Sequence, residues 1–246
     1  MPRDWDARTY DRVADPQTRW GSAVLDRLPL VGDERVLDAG CGSGRVTQLL
    51  ADRLPHGKVV ALDGSASMIE AARERLAPFG DRIEYVVADL GQPLPVDGEV
   101  DAVLSTATFH WVLDHDALFR NLAAVTRPGG RLVAQCGGAG NIASVMAVLA
   151  RTGDGWLGEK YFATPLDTTR RLDAAGYVDI ECWLTDEPTR FERGEPLETF
   201  LRTVVLGGHV ARLPEADRDA FVHEVAEALP EPVIDYVRLN ILARRA

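Results

Sequence analysis

The stretch "VLDAGCGSG", Val36 to Gly44, ends an apolar run in an aspartate and then places three glycines within five positions. A glycine-rich turn between a strand and a helix lets the main chain adopt positive φ angles and come close to a ligand. Two carboxylates follow in the same rhythm. Asp63 closes the run "VVALD", 19 residues after Gly44, where a carboxylate can accept hydrogen bonds from both hydroxyls of a ribose. Asp89, in "VVADL", could take a hydrogen bond from an adenine amine. Strand ends of an open α/β sheet share one edge and leave a crevice beyond it. Together these features point to an adenosine-bearing cofactor, with an ordinary tight turn as the bland alternative.

Spacing narrows the choice of cofactor. A dinucleotide loop needs G-x-G-x-x-G, or Ala at the last position, so that the helix packs tightly and the pyrophosphate meets its N-terminus. Gly40 and Gly42 fit, but Arg45 occupies the last position, and the glycines read G-x-G-x-G. Asp38 opens the loop with a negative charge expected to point toward the ligand. That charge is awkward beside a pyrophosphate and suits the ammonium group of S-adenosylmethionine (SAM).

The elements that must position these residues alternate between β-branched runs and helical patterns, the signature of an α/β fold with a parallel sheet. Strands are expected at 35–40, 59–63, 83–89, 100–106 and 131–137, the last entered through the turn "TRPGG". Helices are expected over 17–28, from near Gly44, from a cap near Ser65 to about Leu76, and over 114–125. After residue 140 the pattern changes: helices over about 141–152 and 166–175, a strand at 177–185, and a final strand at 233–244. The polar, largely helical block at 187–231 is too long for a simple turn and is expected to cap the sheet.

Composition bounds the rest. The chain has 246 residues, 46% hydrophobic and 26% charged, which suits a globular domain. Apolar runs such as Ile142 to Ala150 are too short and interrupted to span a bilayer, so no membrane partner is expected. No basic-then-apolar leader opens the chain, and the expected location is cytoplasmic. Cys41, Cys136 and Cys182 are far apart, without C-x-x-C or metal-ligand spacing, so they are expected reduced and no metal is expected. A net charge of −11 without a compensating basic run argues against nucleic acid and leaves a small molecule as the expected partner. The chain is expected as a monomer or homodimer.

The sequence resembles the class I SAM-dependent methyltransferases along nearly its whole length, through "VLDAGCGSG", "VVALDGSASMIEAAR", "VVADL", "DAVLSTATFHWV" and "TRPGGRLV". The resemblance implies a seven-stranded, mostly parallel Rossmann-like sheet with helices on both faces. Its last strand is antiparallel and inserted beside the fifth. It implies one domain over 1–246: lid helices at 1–30, a cofactor-binding core at 31–140 and the helical cap. Gly40, Gly42 and Gly44 would line the methionine part of SAM, Asp63 would bind the ribose, Met68 would pack near the adenine, and Asp89 with Leu90 would hold the adenine edge. Asp38, Cys41, Gly64 and Ser105 would join the cofactor site. Met68 read alone is plain core.

In this family the loop after the fourth strand faces the methyl group; here it reads "STATFHWV", without the N-P-P-Y type signature of base and amide methylation. The subgroup resembled is that of trans-aconitate and juvenile hormone acid methyltransferases, which esterify carboxylates. In the latter, a glutamine of the lid and a tryptophan hold the acid, and the matching positions are Gln17 and Trp111. A carboxylate needs no general base, since with a pKa of about 4.3 it is ionised at pH 7. Neutral hydrogen bonds from Gln17, Trp111 and His110 could place it. For a hydroxyl acceptor His110 would be the base, and each of these residues could equally be packing or solvated surface. Tyr10 and Trp20 complete an aromatic lid, with Trp20 read alternatively as an anchor of the first helix. In the cap, Arg202 and His209 are the substrate-facing candidates, and Gly207-Gly208-His209 replaces an Arg-Pro element of the trans-aconitate enzymes. A non-catalytic SAM-binding module is the alternative outside enzymes. An NAD-dependent oxidoreductase is disfavoured by Arg45 and by the absence of a Tyr-x-x-x-Lys pair after the fifth strand.

Overall fold

The structure, a computed structural model, describes residues 15–152 and 155–246. The first half alternates as expected: α1 (Asp15–Leu25), β1 (Arg35–Ala39), α2 (Arg45–Asp52), β2 (Lys58–Asp63), α3 (Ala66–Leu76), β3 (Ile83–Val87) and β4 (Val100–Thr106). Then follow α4 (His115–Val125), β5 (Thr126–Gly137), α5 (Ala143–Leu149), α6 (Pro165–Ala174) and β6 (Tyr177–Asp186). The remainder holds β7 (Thr189–Arg190), α7 (Glu195–Phe200), α8 (Gly207–Arg212), α9 (Arg218–Ala228), β8 (Val233–Ile234) and β9 (Val237–Arg245).

Seven strands form one sheet in the order β3-β2-β1-β4-β5-β9-β6. β9 is antiparallel to β5 and β6, and the other pairs are parallel. This is the sheet that the family resemblance implies. The alternation of side chains on the strands builds both faces at once. Leu37, Val60, Leu62 and Val103 face α4 and α6, in a core completed by Phe119 and Leu172. Val36, Val59, Ala61 and Leu104 face α1, α2 and α3. A third core joins α5 to α7, α8 and α9 through Val145, Phe200 and Val222, and it includes Trp20 and Tyr236.

The two largest departures from the expected strand boundaries each have a local reason. Pairing of β4 with β5 jumps from Val100↔Thr126 to Ala102↔Arg131, so Arg127-Pro128-Gly129-Gly130 bulges out of a strand that begins earlier than residue 131. Gly129 takes a φ of 78°, which suits glycine. The final strand is broken at Asp235-Tyr236: β8 pairs with β7 in a separate two-stranded sheet, and only β9 joins the main one. The Asp235 carboxylate accepts from Ser144 N at 2.9 Å and Ser144 Oγ at 2.6 Å at the start of α5.

A buried polar clamp holds the antiparallel pair of strands. Asn240 Oδ1 accepts from Arg27 Nη1 at 2.6 Å and Gln135 Nε2 at 2.8 Å, while its Nδ2 donates to Thr185 Oγ1 at 3.1 Å. Asn240→Ala should lower the unfolding free energy by about 1–3 kcal/mol, because it takes the acceptor from the buried Gln135 amide and from the half-buried Arg27 guanidinium. Urea titration measures this; an unchanged midpoint would mean that the clamp contributes nothing to stability.

Candidate active site

The loop after β1 is shaped by the end of β2. Gly40 N and Cys41 N both donate to Leu62 O, at 2.8 and 2.9 Å. Asp63 then bridges two segments, accepting from Gly42 N on Oδ2 and from Ser65 N on Oδ1, each at 2.9 Å. Burial raises the Asp63 carboxyl above its ordinary value, and these main-chain donors work against the rise. At Gly40, with φ at 88°, a Cβ would lie 2.1 Å from Thr108 Oγ1, so only glycine lets the loop after β4 close on this turn. At Gly42, φ 54°, a Cβ would meet nothing within 4 Å and would project into open space.

That space is a cavity of about 560 Å³ beyond the strand ends, of a size usual for small-ligand sites. Of the expected cofactor residues, Gly40, Gly42, Asp63, Gly64, Met68, Asp89 and Leu90 line it. Asp89 is held by its own turn, with Gly91 N donating to its Oδ1 at 2.9 Å.

Four cofactor expectations are corrected. Asp38 lies beneath the loop, 1% exposed, with Oδ2 accepting from Thr47 Oγ1 of α2 at 2.7 Å, and does not reach the cavity. Its other oxygen is buried without a hydrogen-bond partner among the described residues. Cys41 turns into the core with Val46 and Leu50, because the loop's alternation puts its side chain on the α2 side. Gly44 starts α2 at φ 84° and packs against Leu76 and Ala72. Ser105 is fully buried and donates its hydroxyl to Ala39 O at 2.6 Å, tying β4 to β1.

The far end of the cavity carries donors and cations. His110 and Trp111 form a short turn, Phe109–Trp111, after β4, and both line the cavity. Gly137 N donates to His110 Nδ1 at 3.3 Å, which leaves Nε2–H as the ring's only other polar atom. Burial, with Arg238 and Lys160 as positive charges nearby, holds the His110 imidazole well below its ordinary value, so the ring is neutral. Neighbouring His115 donates Nε2–H to Phe109 O at 2.9 Å and fixes the turn from behind. Lys160 Nζ lies 5.0 Å from the centre of the Trp111 ring and donates to Val205 O at 2.8 Å. Arg238 stands over Trp20 at 4.8 Å and hydrogen-bonds Gln135 Oε1 at 3.4 Å. From the cap, His209 faces the cavity, its Nε2 2.9 Å from Trp156 O.

Two lid and cap expectations are corrected as well. Trp20 does not line the cavity; it is buried edge-on against Tyr236 at 5.1 Å and donates to Glu187 Oε2 at 3.3 Å, so it anchors α1 to the cap. Arg202 pairs with Asp219 of α9 on the outer face of the cap. Tyr10 and the side chain of Gln17 lie outside the described residues. Asn141, Trp156, Lys160, Phe162 and Arg238 also line the cavity, and no sequence motif marks them. Arg238 did leave a signal: it shares a strand face with Asn240, two polar side chains on a central, apolar strand.

A family profile described as a methyltransferase domain matches residues 36–130. Trans-aconitate 2-methyltransferase of Methylobacterium nodulans is 33% identical over 184 residues, which cover 74% of this chain and 67% of that protein. The chain belongs to the SAM-dependent methyltransferases. Trans-aconitate 2-methyltransferase of Variovorax paradoxus is 39% identical over 132 residues, 54% of this chain; the match spans about half of that relative's length, 49%. The fold is also that of phosphoethanolamine N-methyltransferase 2 of Haemonchus contortus, with a TM-score of 0.67, 20% identity, and coverage of 97% of this chain and 56% of that one.

The family's cofactor, SAM, fits the residues present. Gly42 leaves a cradle that any Cβ would fill, Asp63 lines the cavity with a carboxylate to which ribose hydroxyls can donate, and Met68 and Leu90 give the apolar faces an adenine ring needs. Among the described residues no group of three or more histidine, cysteine or acidic side chains could hold a metal ion. No described helix is long and apolar enough to cross a membrane.

Burial pushes the Asp38 carboxyl up to about 7, opposed by Thr47 and raised further by Asp63. The folded chain therefore holds a proton that the unfolded chain has lost, and the associated stability disappears as pH rises through 7. Asp38→Asn should raise the melting temperature of the ligand-free protein at pH 8 by several degrees and flatten its dependence on pH between 5 and 8. Thermal scans across that range check it; an equal or steeper slope in the variant would contradict this burial of charge.

Proposed function

We propose that this chain transfers the methyl group of SAM to a carboxylate oxygen of a small acid. The observation that carries the reading is the donation of Gly137 N to His110 Nδ1, which turns the histidine into a neutral hydrogen-bond donor. A neutral donor can hold an oxygen anion but takes no proton from a hydroxyl. The acceptor must then arrive ionised, as a carboxylate does at pH 7. A hydroxyl acceptor with His110 as base does not suit this hydrogen bond.

When bound, SAM supplies a methyl group already activated by its sulfonium. What remains for the protein is positioning, and good orientation alone can supply roughly 7–11 kcal/mol. Gly40, Gly42, Asp63 and Asp89 would hold the cofactor at one end of the cavity. His110, Trp111 and Lys160 would hold the acceptor oxygen at the other, with Arg238 adding positive potential. Trp156, Phe162 and Val204 give the acceptor an apolar wall and exclude water. In this reading the chain acts as one unit: 31–140 hold the cofactor and 187–231 cap the acceptor, while α1, expected as part of a lid, packs through Val24 and Leu25 into the core beneath the sheet.

The relatives' names make trans-aconitate the first acid to try. Arg202 is engaged on the cap's outer face, and the cap reads Gly207-Gly208-His209 where the resemblance implies an Arg-Pro element. A tricarboxylate would want several arginines. The wall here offers Arg238 and Lys160 among large apolar side chains, which favours an acid with one or two carboxylates and an apolar body.

With SAM labelled on its methyl group and a panel of carboxylic acids, label should appear in a product that mild alkali converts to volatile methanol, as a methyl ester does. The rate should stay level from about pH 6 to 9, where the acceptor is ionised and His110 stays neutral. Label that survives alkali, as an ether or methylamine would, contradicts the carboxylate reading.

A further inference from the structure

The geometry points to Asn141 as the partner of His110 in a donor-only cradle for the acceptor's oxygen, and to this pair as the feature that excludes amines. The inference rests on the carboxylate reading above and extends it to a residue at the entry to α5. Asn141 is 4% exposed and lines the cavity. Val237 N donates to its Oδ1 at 3.0 Å, which fixes the orientation of the amide and leaves the NH₂ group as the end with no acceptor among the described residues.

The two side chains meet at Gly137. Its N–H consumes the only acceptor nitrogen of His110, and its missing side chain makes room for the Asn141 amide. A Cβ there would lie 2.9 Å from Asn141 Nδ2 and 2.9 Å from Phe162 Cε1. Main-chain N–H groups thus bond the acceptor atom of both side chains, which leaves His110 Nε2–H and the Asn141 NH₂ as the groups each has to offer a ligand. Such a wall satisfies an oxygen anion. An ammonium brings only N–H donors of its own and would bury them opposite donors, at the cost of unpaired polar groups.

Backbone strain marks the same two segments. Among the described residues only three non-glycine residues have positive φ, and two flank this pair: Ala107 at 57° in the loop that leads to His110, and Ile142 at 52° directly after Asn141. Strain of this kind persists where surrounding contacts impose it, and it collects at ligand sites. Here the contacts are Ala107 N to Gln135 O at 2.7 Å and Ile142 N to Asp235 O at 2.9 Å.

The deciding experiment compares wild type with Asn141→Asp, which keeps the acceptor for Val237 N but replaces the NH₂ donor by an oxygen. Turnover is measured on the carboxylic acid panel and on primary amines of matching carbon skeleton. S-adenosylhomocysteine affinity and melting temperature report whether the variant is folded. Wild type should methylate acids and not amines, and Asn141→Asp should lose roughly a hundredfold in kcat/KM on the acid with cofactor affinity unchanged. Gly137→Ala, whose Cβ would push the Asn141 amide aside, should show the same loss. Acid turnover retained within about threefold in a folded Asn141→Asp protein overturns the cradle and leaves the carboxylate reading intact. If wild type methylates amines, or no acid, the carboxylate reading itself falls and the cradle with it.

Discussion

The end of β2 holds the site together. Leu62 O takes two N–H groups of the glycine loop, and the Asp63 carboxylate takes one more from that loop and one from the start of α3. Four main-chain donors are thereby satisfied by two consecutive residues. Without them, a loop with three positive-φ glycines would have no reason to keep one shape, since glycine gives up more conformational freedom on folding than any other residue. Everything at the cofactor end follows: Thr108 closes on Gly40, α2 starts at Gly44, and the space beside Gly42 stays open.

The other end of the cavity is organised by β5 and β9. β5 ends at Gly137, which orients His110; β9 begins at Val237, which orients Asn141, and continues into Arg238. The Asn240 clamp behind them also engages Gln135, which in turn bonds Arg238. The result is an asymmetric cavity, with carboxylates where a ribose and an adenine amine would donate and with cations and N–H donors where an anion would sit.

Much of the cofactor end was legible in the sequence because it is local. Glycine spacing, a strand-ending aspartate and a second carboxylate one strand later are tied to neighbouring segments, and period-two alternation locates the strands that carry them. The misplacements there came from side-chain direction. Asp38, Cys41 and Ser105 sit at the right height on the sheet but turn to other neighbours, a distinction that sequence spacing cannot make. The acceptor end was mostly illegible because Asn141, Lys160 and Arg238 come from an irregular stretch and an antiparallel strand far apart in the chain. Trp20 shows the opposite limit: an anchor of the first helix could be read from the sequence, but that it ties α1 to the cap through Tyr236 and Glu187 could not.

The central claim is that the glycine loop and its two aspartates are built for the adenosine and methionine parts of one cofactor. Calorimetric titration with S-adenosylhomocysteine, with NADH run in parallel, tests it most directly. The account predicts micromolar binding of S-adenosylhomocysteine at one site per chain and no heat from NADH. Binding of NADH without binding of S-adenosylhomocysteine would contradict it.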